Sequence, residues 1–278
     1  MEVIVAKTAG FCFGVKRAVE KVYANVDKEH VYTYGPIIHN EQVVADLEKH
    51  GVKVVEEDTD LTQLSEGTIV VRAHGASRAE FDRLRECGMQ IEDATCPFVS
   101  KIYRIVEEES KAGRTVIIVG NAVHPEVRGI RGWSGEDTYV VGSIEEANNL
   151  NILAKNISIV SQTTFNLKKF KEIVEIFEKK GYDIKCLNTI CNATEVRQTE
   201  ARQIASQVDA MIVIGGKNSS NTQKLFEICK EECSNTYYIQ TAEDLDYTAI
   251  RGMQRIGITA GASTPKNIIE EVQTRCQI

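Results

Sequence analysis

The chain has 278 residues, of which 42% are hydrophobic and 26% are charged, a composition typical of a folded protein with a large core. Its net charge of −7 argues against a nucleic-acid-binding protein, which would carry a concentrated basic surface. No apolar run approaches the roughly 18 residues of a membrane-spanning helix, and the N-terminus lacks the features of a signal peptide. The expected location is therefore the cytoplasm, and the length predicts two or three compact units.

Short β-rich runs alternate with amphipathic helical stretches along the chain. The first helical stripe contains Val15, Val19 and Val22, and a capping box at Ser77 and Glu80 marks a later helix start. Strands rich in Val, Ile and Tyr are predicted at 31–35, 69–73, 116–120, 157–161, 211–215 and 255–260. This alternation predicts an α/β fold with mostly parallel sheets covered by helices.

Three segments of the chain share one order of features. Each begins with a cysteine before a basic amphipathic helix, then has an apolar strand that ends in glycine, and later a further strand and turn. The intervals are 23, 24 and 24 residues for Cys12 to Gly35, Cys96 to Gly120 and Cys191 to Gly215. The repeat predicts three similar α/β units around a pseudo-threefold axis. They are expected at residues 13–95, 96–190 and 191–278, with an N-terminal strand within 1–12 joining the third.

Cytoplasmic thiols are normally reduced, so the eight cysteines indicate metal binding or catalysis more than disulfides. None forms a CxxC pair, as a zinc ribbon or a bacterial ferredoxin motif would require. Three thiolates brought together by the repeat, those of Cys12, Cys96 and Cys191, would suit an iron–sulfur cluster with one open iron. Each could also be a small buried apolar residue. Core packing is predicted for Cys87, Cys186, Cys229, Cys233 and Cys276.

The polar turns after the strands are rich in neutral hydrogen-bond donors and poor in Lys and Arg. Several turn residues lie at predicted helix N-termini, where N–H groups and the helix dipole favour an anion such as a diphosphate. Taken singly, they could be ordinary helix caps or structural histidines. The set is His39, His74, His124, Thr163, Ser219, Ser220, Asn221 and Ser263.

Glu126 is the carboxylate of the turn that follows the strand at 116–120. It could deliver a proton to a leaving hydroxyl group, or it could be an ordinary acidic residue in the first turn of a helix. Thr163, in a neighbouring turn, could orient Glu126 or the substrate. His30 and His50 lie outside the repeated turns and are expected on the surface.

Nine segments, spread from residue 1 to near the C-terminus, carry a resemblance to a known family. They are GFCFGVKRAV, GPIIHN, VVRAHGAS, DATCPFV, GNAVHPEVRG, SQTTFN, TICNAT, KNSSNT and TAGAST. The chain resembles the 4-hydroxy-3-methylbut-2-enyl diphosphate reductase family, also called LytB or IspH. The resemblance implies three α/β domains around one [4Fe–4S] cluster per chain, with three Cys ligands and one open iron. It also implies reductive loss of the substrate hydroxyl group to give isopentenyl and dimethylallyl diphosphates, the last step of the methylerythritol phosphate pathway.

By the same resemblance, Cys12, Cys96 and Cys191 match the cluster ligands. The catalytic residues would be Glu126, Thr163 and His124, and the implied partner is an external electron donor of the ferredoxin or flavodoxin type. A monomer is expected. The substrate-binding residues would be His39, His74, His124, Thr163, Ser219, Ser220, Asn221 and Ser263.

Two other classes remain open from the sequence. Quinolinate synthase is also built from three similar units that hold a three-cysteine cluster, and dehydratases use an open iron without net reduction. Either reading predicts activity without an electron donor. A non-catalytic iron–sulfur sensor is the other alternative, although such a protein has little use for so many polar groups around an open iron.

Overall fold

A computed structural model describes residues 1–277 of this protein. These residues form two compact bodies. The smaller body comprises Met1–Lys16, Ile38–Asp46 and the chain from Asn192 onward, and the larger body comprises Arg17–Ile37 and Leu47–Cys191. No helix within residues 1–277 is both long and apolar enough to cross a membrane.

Strands and helices alternate along the described chain. The strands are β1 (Glu2–Val5), β2 (Val31–Tyr34), β3 (Lys53–Val55), β4 (Thr68–Val71), β5 (Gln90–Asp93), β6 (Thr115–Val119), β7 (Thr138–Val141), β8 (Asn156–Ser161), β9 (Asp183–Cys186), β10 (Ala210–Ile214), β11 (Thr236–Ile239) and β12 (Arg255–Ala260). The helices are α1 (Phe13–Tyr23), α2 (Glu41–Lys49), α3 (Arg78–Glu86), α4 (Pro97–Lys111), α5 (Pro125–Trp133), α6 (Ile144–Asn149), α7 (Leu167–Lys179), α8 (Asn192–Ala205), α9 (Ser220–Glu232) and α10 (Lys266–Gln277).

The strands form three parallel four-stranded sheets of the same topology. The larger body contains two of them, in the orders β3-β2-β4-β5 and β7-β6-β8-β9. The smaller body contains the third, in the order β11-β10-β12-β1. The N-terminal strand β1 thus takes the edge position that β5 and β9 hold in the other sheets. The prediction of three α/β units with parallel sheets is confirmed, while the unit boundaries and the pseudo-threefold axis stay predictions.

Each sheet buries apolar side chains on both of its faces, as parallel sheets covered by helices do. In β10, Ile212 and Ile214 pack into one core cluster with residues of α10, while Met211 and Val213 pack into another with residues of α8 and α9. Burial of each such side chain contributes roughly 1.5–3 kcal/mol. The near-continuous apolar runs of the central strands follow from this burial on two sides.

One hydrogen bond recurs at the end of the first strand of each unit. The glycine after the strand donates its N–H to the last residue of the neighbouring strand, at 2.8–2.9 Å. The pairs are Gly35 with Val55, Gly120 with Val141 and Gly215 with Ile239. The glycines that follow the repeated cysteines at equal spacing therefore occupy equivalent positions in the three sheets. After each glycine the chain turns toward the N-terminus of a helix.

Several local predictions can be checked directly. Ser77 Oγ accepts a hydrogen bond from the Glu80 N–H at 3.2 Å, and Glu80 accepts one from the Ser77 N–H at 2.6 Å, so the capping box is confirmed. His30 and His50 are exposed, as expected. Each of the three repeated cysteines precedes a helix, but none directly ends a strand, because short loops of two to six residues intervene.

The prediction of core packing holds for some of the remaining cysteines. Cys229, Cys233 and Cys276 are buried, and Cys87 is half-buried against the core of its sheet. The prediction is wrong for Cys186, which is exposed. Cys186 ends β9, an edge strand of its sheet, where a side chain can face solvent.

Candidate active site

The three repeated cysteines lie in equivalent hydrogen-bonded positions. In each unit the cysteine N–H donates to a carbonyl oxygen in the loop that follows the third strand of a sheet. The bonds run from Cys12 to Ala262 at 3.2 Å, from Cys96 to Ala73 at 3.0 Å and from Cys191 to Thr163 at 2.9 Å. The residues that follow these acceptors are Ser263, His74 and Thr164, so each bond places a cysteine beside a polar turn.

The chemistry of the three thiols fits an iron–sulfur cluster. All three residues are half-buried, and none of them forms a disulfide. Each directly precedes the first turn of α1, α4 or α8, where the helix dipole favours a negative group such as a thiolate. Thiolates are the usual ligands of such clusters.

In the larger body, Glu126 is held by two hydrogen bonds from one residue. Its Oε1 accepts from the Thr163 N–H at 2.6 Å, and its Oε2 accepts from Thr163 Oγ1 at 2.8 Å. The carbonyl of Thr163 accepts the N–H of Cys191, as described above. A single threonine therefore connects the carboxyl group to the backbone of a predicted cluster ligand.

Burial gives Glu126 the protonation behaviour of an acid that works near neutral pH. Glu126 is only 2% exposed. The loss of solvent raises the pKa of its carboxyl group from 4.5 to about 7, and the two hydrogen bonds from Thr163 oppose this increase without cancelling it. Of the two readings of Glu126 offered by the sequence, the burial and the raised pKa favour a proton donor over an ordinary first-turn residue.

Two of the predicted histidines lie together in the larger body. The rings of His74 and His124 have centroids 5.3 Å apart in an edge-to-face arrangement. His124 also caps α5, because its Nδ1 accepts the N–H of Glu126 at 3.1 Å. This bond fixes the acceptor role of Nδ1, so Nε2 is the ring nitrogen available to carry a proton.

In the smaller body, Asn221 holds the position that Glu126 holds in the larger one. Each lies two residues after a helix cap, Ser219 or His124. Asn221 Oδ1 accepts the N–H of Ala262 at 3.0 Å, and the carbonyl of Ala262 accepts the N–H of Cys12. The same network thus occurs twice, with a carboxyl group in one body and an amide in the other.

The remaining predicted anion-binding residues of the smaller body surround the N-terminus of α9. Ser219 caps this helix by accepting the Thr222 N–H at 3.3 Å, and Ser220 opens it. Ser263 Oγ donates to the carbonyl of His39 at 3.2 Å. Asn221 is buried, and its Nδ2 has no hydrogen-bond partner among residues 1–277. A buried amide donor beside an open helix N-terminus is suited to an anionic ligand.

The predicted site residues therefore fall into two groups, one in each body. The smaller body contains Cys12, His39, Ser219, Ser220, Asn221 and Ser263, and the larger body contains His74, Cys96, His124, Glu126, Thr163 and Cys191.

Comparison with known proteins gives the family. A family model described as LytB protein matches residues 3–277. This chain belongs to the LytB family. The 4-hydroxy-3-methylbut-2-enyl diphosphate reductase of Caldanaerobacter subterraneus is 48% identical to it over 276 residues, which cover 98% of this chain and 95% of the relative. The reductase of the same name from Geobacter sulfurreducens is 47% identical over 278 residues, which cover 100% and 97%.

Two solved structures share the fold of this LytB chain. The E-1-hydroxy-2-methyl-but-2-enyl-4-diphosphate reductase from Plasmodium falciparum matches with a TM-score of 0.93 at 29% identity, covering 99% of this chain and 87% of that one. The structure of an (E)-4-hydroxy-3-methyl-but-2-enyl diphosphate reductase, the terminal enzyme of the non-mevalonate pathway, matches with a TM-score of 0.70 at 42% identity. It covers 100% of this chain and 99% of that one. The family resemblance read from the sequence is confirmed.

Sequence reasoning about this LytB chain did not single out Tyr103. Its hydroxyl donates to the carbonyl of His74 at 3.1 Å, and its ring stacks on Trp133 with centroids 5.4 Å apart. The hydrogen bond holds the backbone of the His74 turn against α4. Tyr103 occupies an ordinary buried position of α4, so the sequence pattern offered no signal that separates it from a core residue.

The pKa of Glu126 predicts a pH-dependent contribution to the stability of the cluster-free protein. Since the pKa is raised on folding, the folded state binds the proton more tightly, and this contribution is fully present only below the ordinary value of 4.5. It is lost as the pH rises to about 7, and a shift of this size corresponds to about 3 kcal/mol. The free energy of unfolding of the wild type, minus that of Glu126→Gln, should therefore fall over this range and stay level above it.

Urea unfolding of both proteins at a series of pH values measures this difference. A difference that does not change with pH would show that the Glu126 carboxyl is not buried in the folded protein.

Proposed function

We propose that this chain catalyses the reductive dehydroxylation of (E)-4-hydroxy-3-methylbut-2-enyl diphosphate to isopentenyl and dimethylallyl diphosphates. This is the last step of the methylerythritol phosphate, or non-mevalonate, pathway of isoprenoid biosynthesis. The observation that carries the proposal is the match, over 98% of the chain and at 48% identity, to a relative named as this reductase. The pairing of Glu126 with Thr163 supports it, because loss of a hydroxyl group needs a proton donor.

The proposed cofactor is one [4Fe–4S] cluster per chain, with Cys12, Cys96 and Cys191 as ligands and one iron left open. The LytB family is one of iron–sulfur enzymes. When bound, the cluster supplies electrons and a Lewis-acidic iron. The three equivalent N–H bonds support these ligands, as do the half-buried positions of the cysteines, none of which forms a disulfide.

The diphosphate of the substrate is proposed to bind to neutral donors. In the smaller body these are His39, Ser263 and the N-terminal residues of α9 (Ser219, Ser220 and Asn221), and in the larger body they are His74, His124 and Thr163. The buried Nδ2 of Asn221 and the N–H groups at the start of α9 supply donors without the desolvation cost of a buried lysine. Binding energy at the diphosphate would hold the reacting carbon in position.

Glu126 is proposed to deliver protons, with Thr163 holding its carboxyl group and His124 as a second polar group of the same turn. The protonated form of Glu126 is substantially populated near neutral pH, since its pKa is about 7. Thr163 Oγ1 hydrogen-bonds the carboxyl group at 2.8 Å and can pass a proton between it and the substrate hydroxyl.

The electrons are proposed to come from an external ferredoxin- or flavodoxin-type donor, because reductive loss of a hydroxyl group consumes two electrons, which must come from a reductant. A cytoplasmic location and a monomeric state remain predictions from the sequence.

Gly216→Ala provides a test of the diphosphate site that substitutes none of the proposed ligands. An added Cβ would lie 2.6 Å from the carbonyl oxygen of His39, so the backbone of the His39 turn would have to move. We expect the affinity for inorganic diphosphate, measured by calorimetry on the anaerobic holoprotein, to fall by about tenfold or more. Gly135→Ala in the larger body, where the Cβ meets only Ser110, is the matched control. Equal affinities in the two variants would remove the His39 turn from the site.

Anaerobic product analysis tests the proposed function. The reconstituted protein is incubated with the substrate, with and without a chemical reductant, and the five-carbon diphosphates are separated. Formation of both products only with the reductant supports the reductase. Conversion without a reductant would instead indicate a dehydratase-type lyase, and no conversion by a protein that holds its cluster would indicate a sensor.

A further inference from the structure

Arg197 is a buried arginine in α8 that binds two loops of the smaller body. The residue is only 4% exposed. Its Nη1 donates to the carbonyl of Ala260 at 2.7 Å, and its Nη2 donates to the carbonyl of Gly10 at 2.9 Å. A guanidinium is costly to bury, so a position with two directed carbonyl contacts indicates a specific task.

Both carbonyls lie close in the chain to proposed site residues: Gly10 is in the loop before Cys12, and Ala260 is the last residue of β12, directly before the loop that contains Ser263. Gly10 lies two residues before Cys12, and Ala260 lies two residues before Ala262, whose carbonyl accepts the Cys12 N–H. The N–H of Ala262 donates to Asn221, and the next residue, Ser263, donates to the carbonyl of His39. Arg197 is thus linked, through short backbone segments and hydrogen bonds, to the proposed cluster ligand Cys12 and to the proposed diphosphate donors.

A second residue of α8 holds the same cysteine loop. Glu200, three residues after Arg197, accepts the N–H groups of Lys7 and Thr8 at 2.8 and 2.9 Å. These two bonds of Glu200 go to the loop before Cys12, whereas Arg197 binds that loop and also the end of β12, which leads to Ser263. Among these contacts, Arg197 is therefore the residue that connects the two.

The larger body contains a related contact. Arg17 in α1 donates from Nη1 to the carbonyl of Thr95 at 3.0 Å, and Thr95 directly precedes Cys96. The two contacts are alike. Arg17 lies in the helix after Cys12 and binds the loop before Cys96, and Arg197 lies in the helix after Cys191 and binds the loop before Cys12. Within residues 1–277, the hydrogen bond of Arg17 goes to the loop before Cys96 and not to a proposed diphosphate loop, so the two arginines should differ in what they affect.

We propose that Arg197 is a positioning residue that couples cluster retention to diphosphate binding and favours the reduced state of the cluster. The proposal rests on the proposed function, which supplies the cluster and its external electron donor. Each electron accepted from that donor adds one negative charge, and a buried cation that binds the backbone two residues before Cys12 favours this charge. Arginine provides the charge together with a planar fork that reaches both carbonyls, which lysine does not.

The experiment compares four variants with the wild type after anaerobic reconstitution: Arg197→Gln, Arg197→Lys, Arg17→Gln and Arg202→Gln. Arg202 is the control, because it lies on α8 but is only half-buried and pairs with the side chains of Glu231 and Glu232 instead of with a backbone carbonyl of a site loop. Four quantities are measured: the rate of iron loss to a chelator, the cluster midpoint potential, the affinity of the holoprotein for inorganic diphosphate, and the melting temperature of the cluster-free protein.

For Arg197→Gln we expect iron loss about 10- to 100-fold faster than in the control, the range found when a residue supporting a metal ligand is removed. We also expect a more negative midpoint potential and weaker diphosphate binding. Arg197→Lys should keep a potential near that of the wild type, since it keeps the charge, but should lose iron faster and bind diphosphate more weakly. Arg17→Gln should lose iron faster while binding diphosphate as the wild type does.

The proposal is overturned if Arg197→Gln retains iron and binds diphosphate as well as Arg202→Gln does. It is also overturned if the variant only lowers the melting temperature, with an unchanged potential and unchanged diphosphate affinity. If Arg197→Gln does not fold, Arg197→Lys is the deciding variant. Iron retention and diphosphate affinity in Arg197→Lys equal to those of the wild type would contradict the proposed coupling. None of these readouts requires turnover, so a wild type that binds the cluster but does not reduce the substrate would refute the proposed function alone.

Discussion

Serine in place of Cys12, Cys96 or Cys191 should prevent stable assembly of the iron–sulfur cluster, while serine in place of Cys186 should leave it intact. Each of the three cysteines precedes a helix and donates its N–H to an equivalent carbonyl, so each sulfur occupies the same position in its unit. A hydroxyl group is a harder and far less acidic ligand than a thiol, and three ligands leave no redundancy for the loss of one.

Iron and sulfide per chain after anaerobic reconstitution measure the effect, with circular dichroism to verify folding. We expect iron to fall from roughly four per chain to a small fraction of that value in each of the three variants. Cys186 is the matched control, because it is exposed and, unlike the other three, does not directly precede a helix. A variant at position 12, 96 or 191 that retained full iron and the wild-type spectrum would remove that cysteine from the ligand set.

Glu126→Gln should lower the turnover number by about 100- to 10,000-fold, the usual contribution of a positioned general acid. The amide has the shape of the carboxyl group but cannot donate an acidic proton to the leaving hydroxyl. Thr163 donates to both oxygens of Glu126, so the amide must give up one of these hydrogen bonds or reorient the threonine hydroxyl. The cluster ligands are unchanged, so iron content and diphosphate affinity should stay near those of the wild type.

Steady-state kinetics with a chemical reductant, together with iron analysis, measure this prediction. Glu145→Gln is the control, since Glu145 also lies in the first turn of a helix but is exposed. In the wild type the rate should decline as the pH rises above about 7, because the protonated fraction of Glu126 declines there. Turnover by Glu126→Gln that equals turnover by Glu145→Gln would exclude Glu126 from proton delivery.

Much of the fold could be predicted because the chain repeats its own organisation. The equal spacings from Cys12, Cys96 and Cys191 to the following glycines correspond to three sheets with one strand order. Strand positions followed from apolar β-branched runs that are buried on both faces, and the helix start at Ser77 followed from local capping chemistry. These features depend on residues close in sequence, which is why a single sequence reveals them.

The contacts that give the site its chemistry depend on residues far apart in the chain. Glu126 and Thr163 are 37 residues apart, and no local pattern indicated that one residue would bond both carboxylate oxygens. The equivalence of Glu126 and Asn221 was likewise hidden, because only the bonded partners Thr163 and Ala262 reveal it. Arg197, which is 187 residues from Gly10, looked like one more charged residue of an amphipathic helix.

The burial of Cys186 was predicted wrongly from the sequence, since the residue is exposed. Free cysteine is usually buried, and the absence of counterparts in the other units favoured a core position. Whether a strand lies at the centre or at the edge of its sheet depends on tertiary pairing, and β9 lies at an edge.

Anaerobic oxidation of a reduced viologen by the reconstituted protein, started by adding (E)-4-hydroxy-3-methylbut-2-enyl diphosphate, tests the central claim most directly. We predict that oxidation begins only when the substrate is added and consumes two one-electron equivalents for each molecule converted to five-carbon diphosphates. Absence of substrate-dependent oxidation by a folded protein with roughly four irons per chain would contradict the account and favour a dehydratase or a sensor.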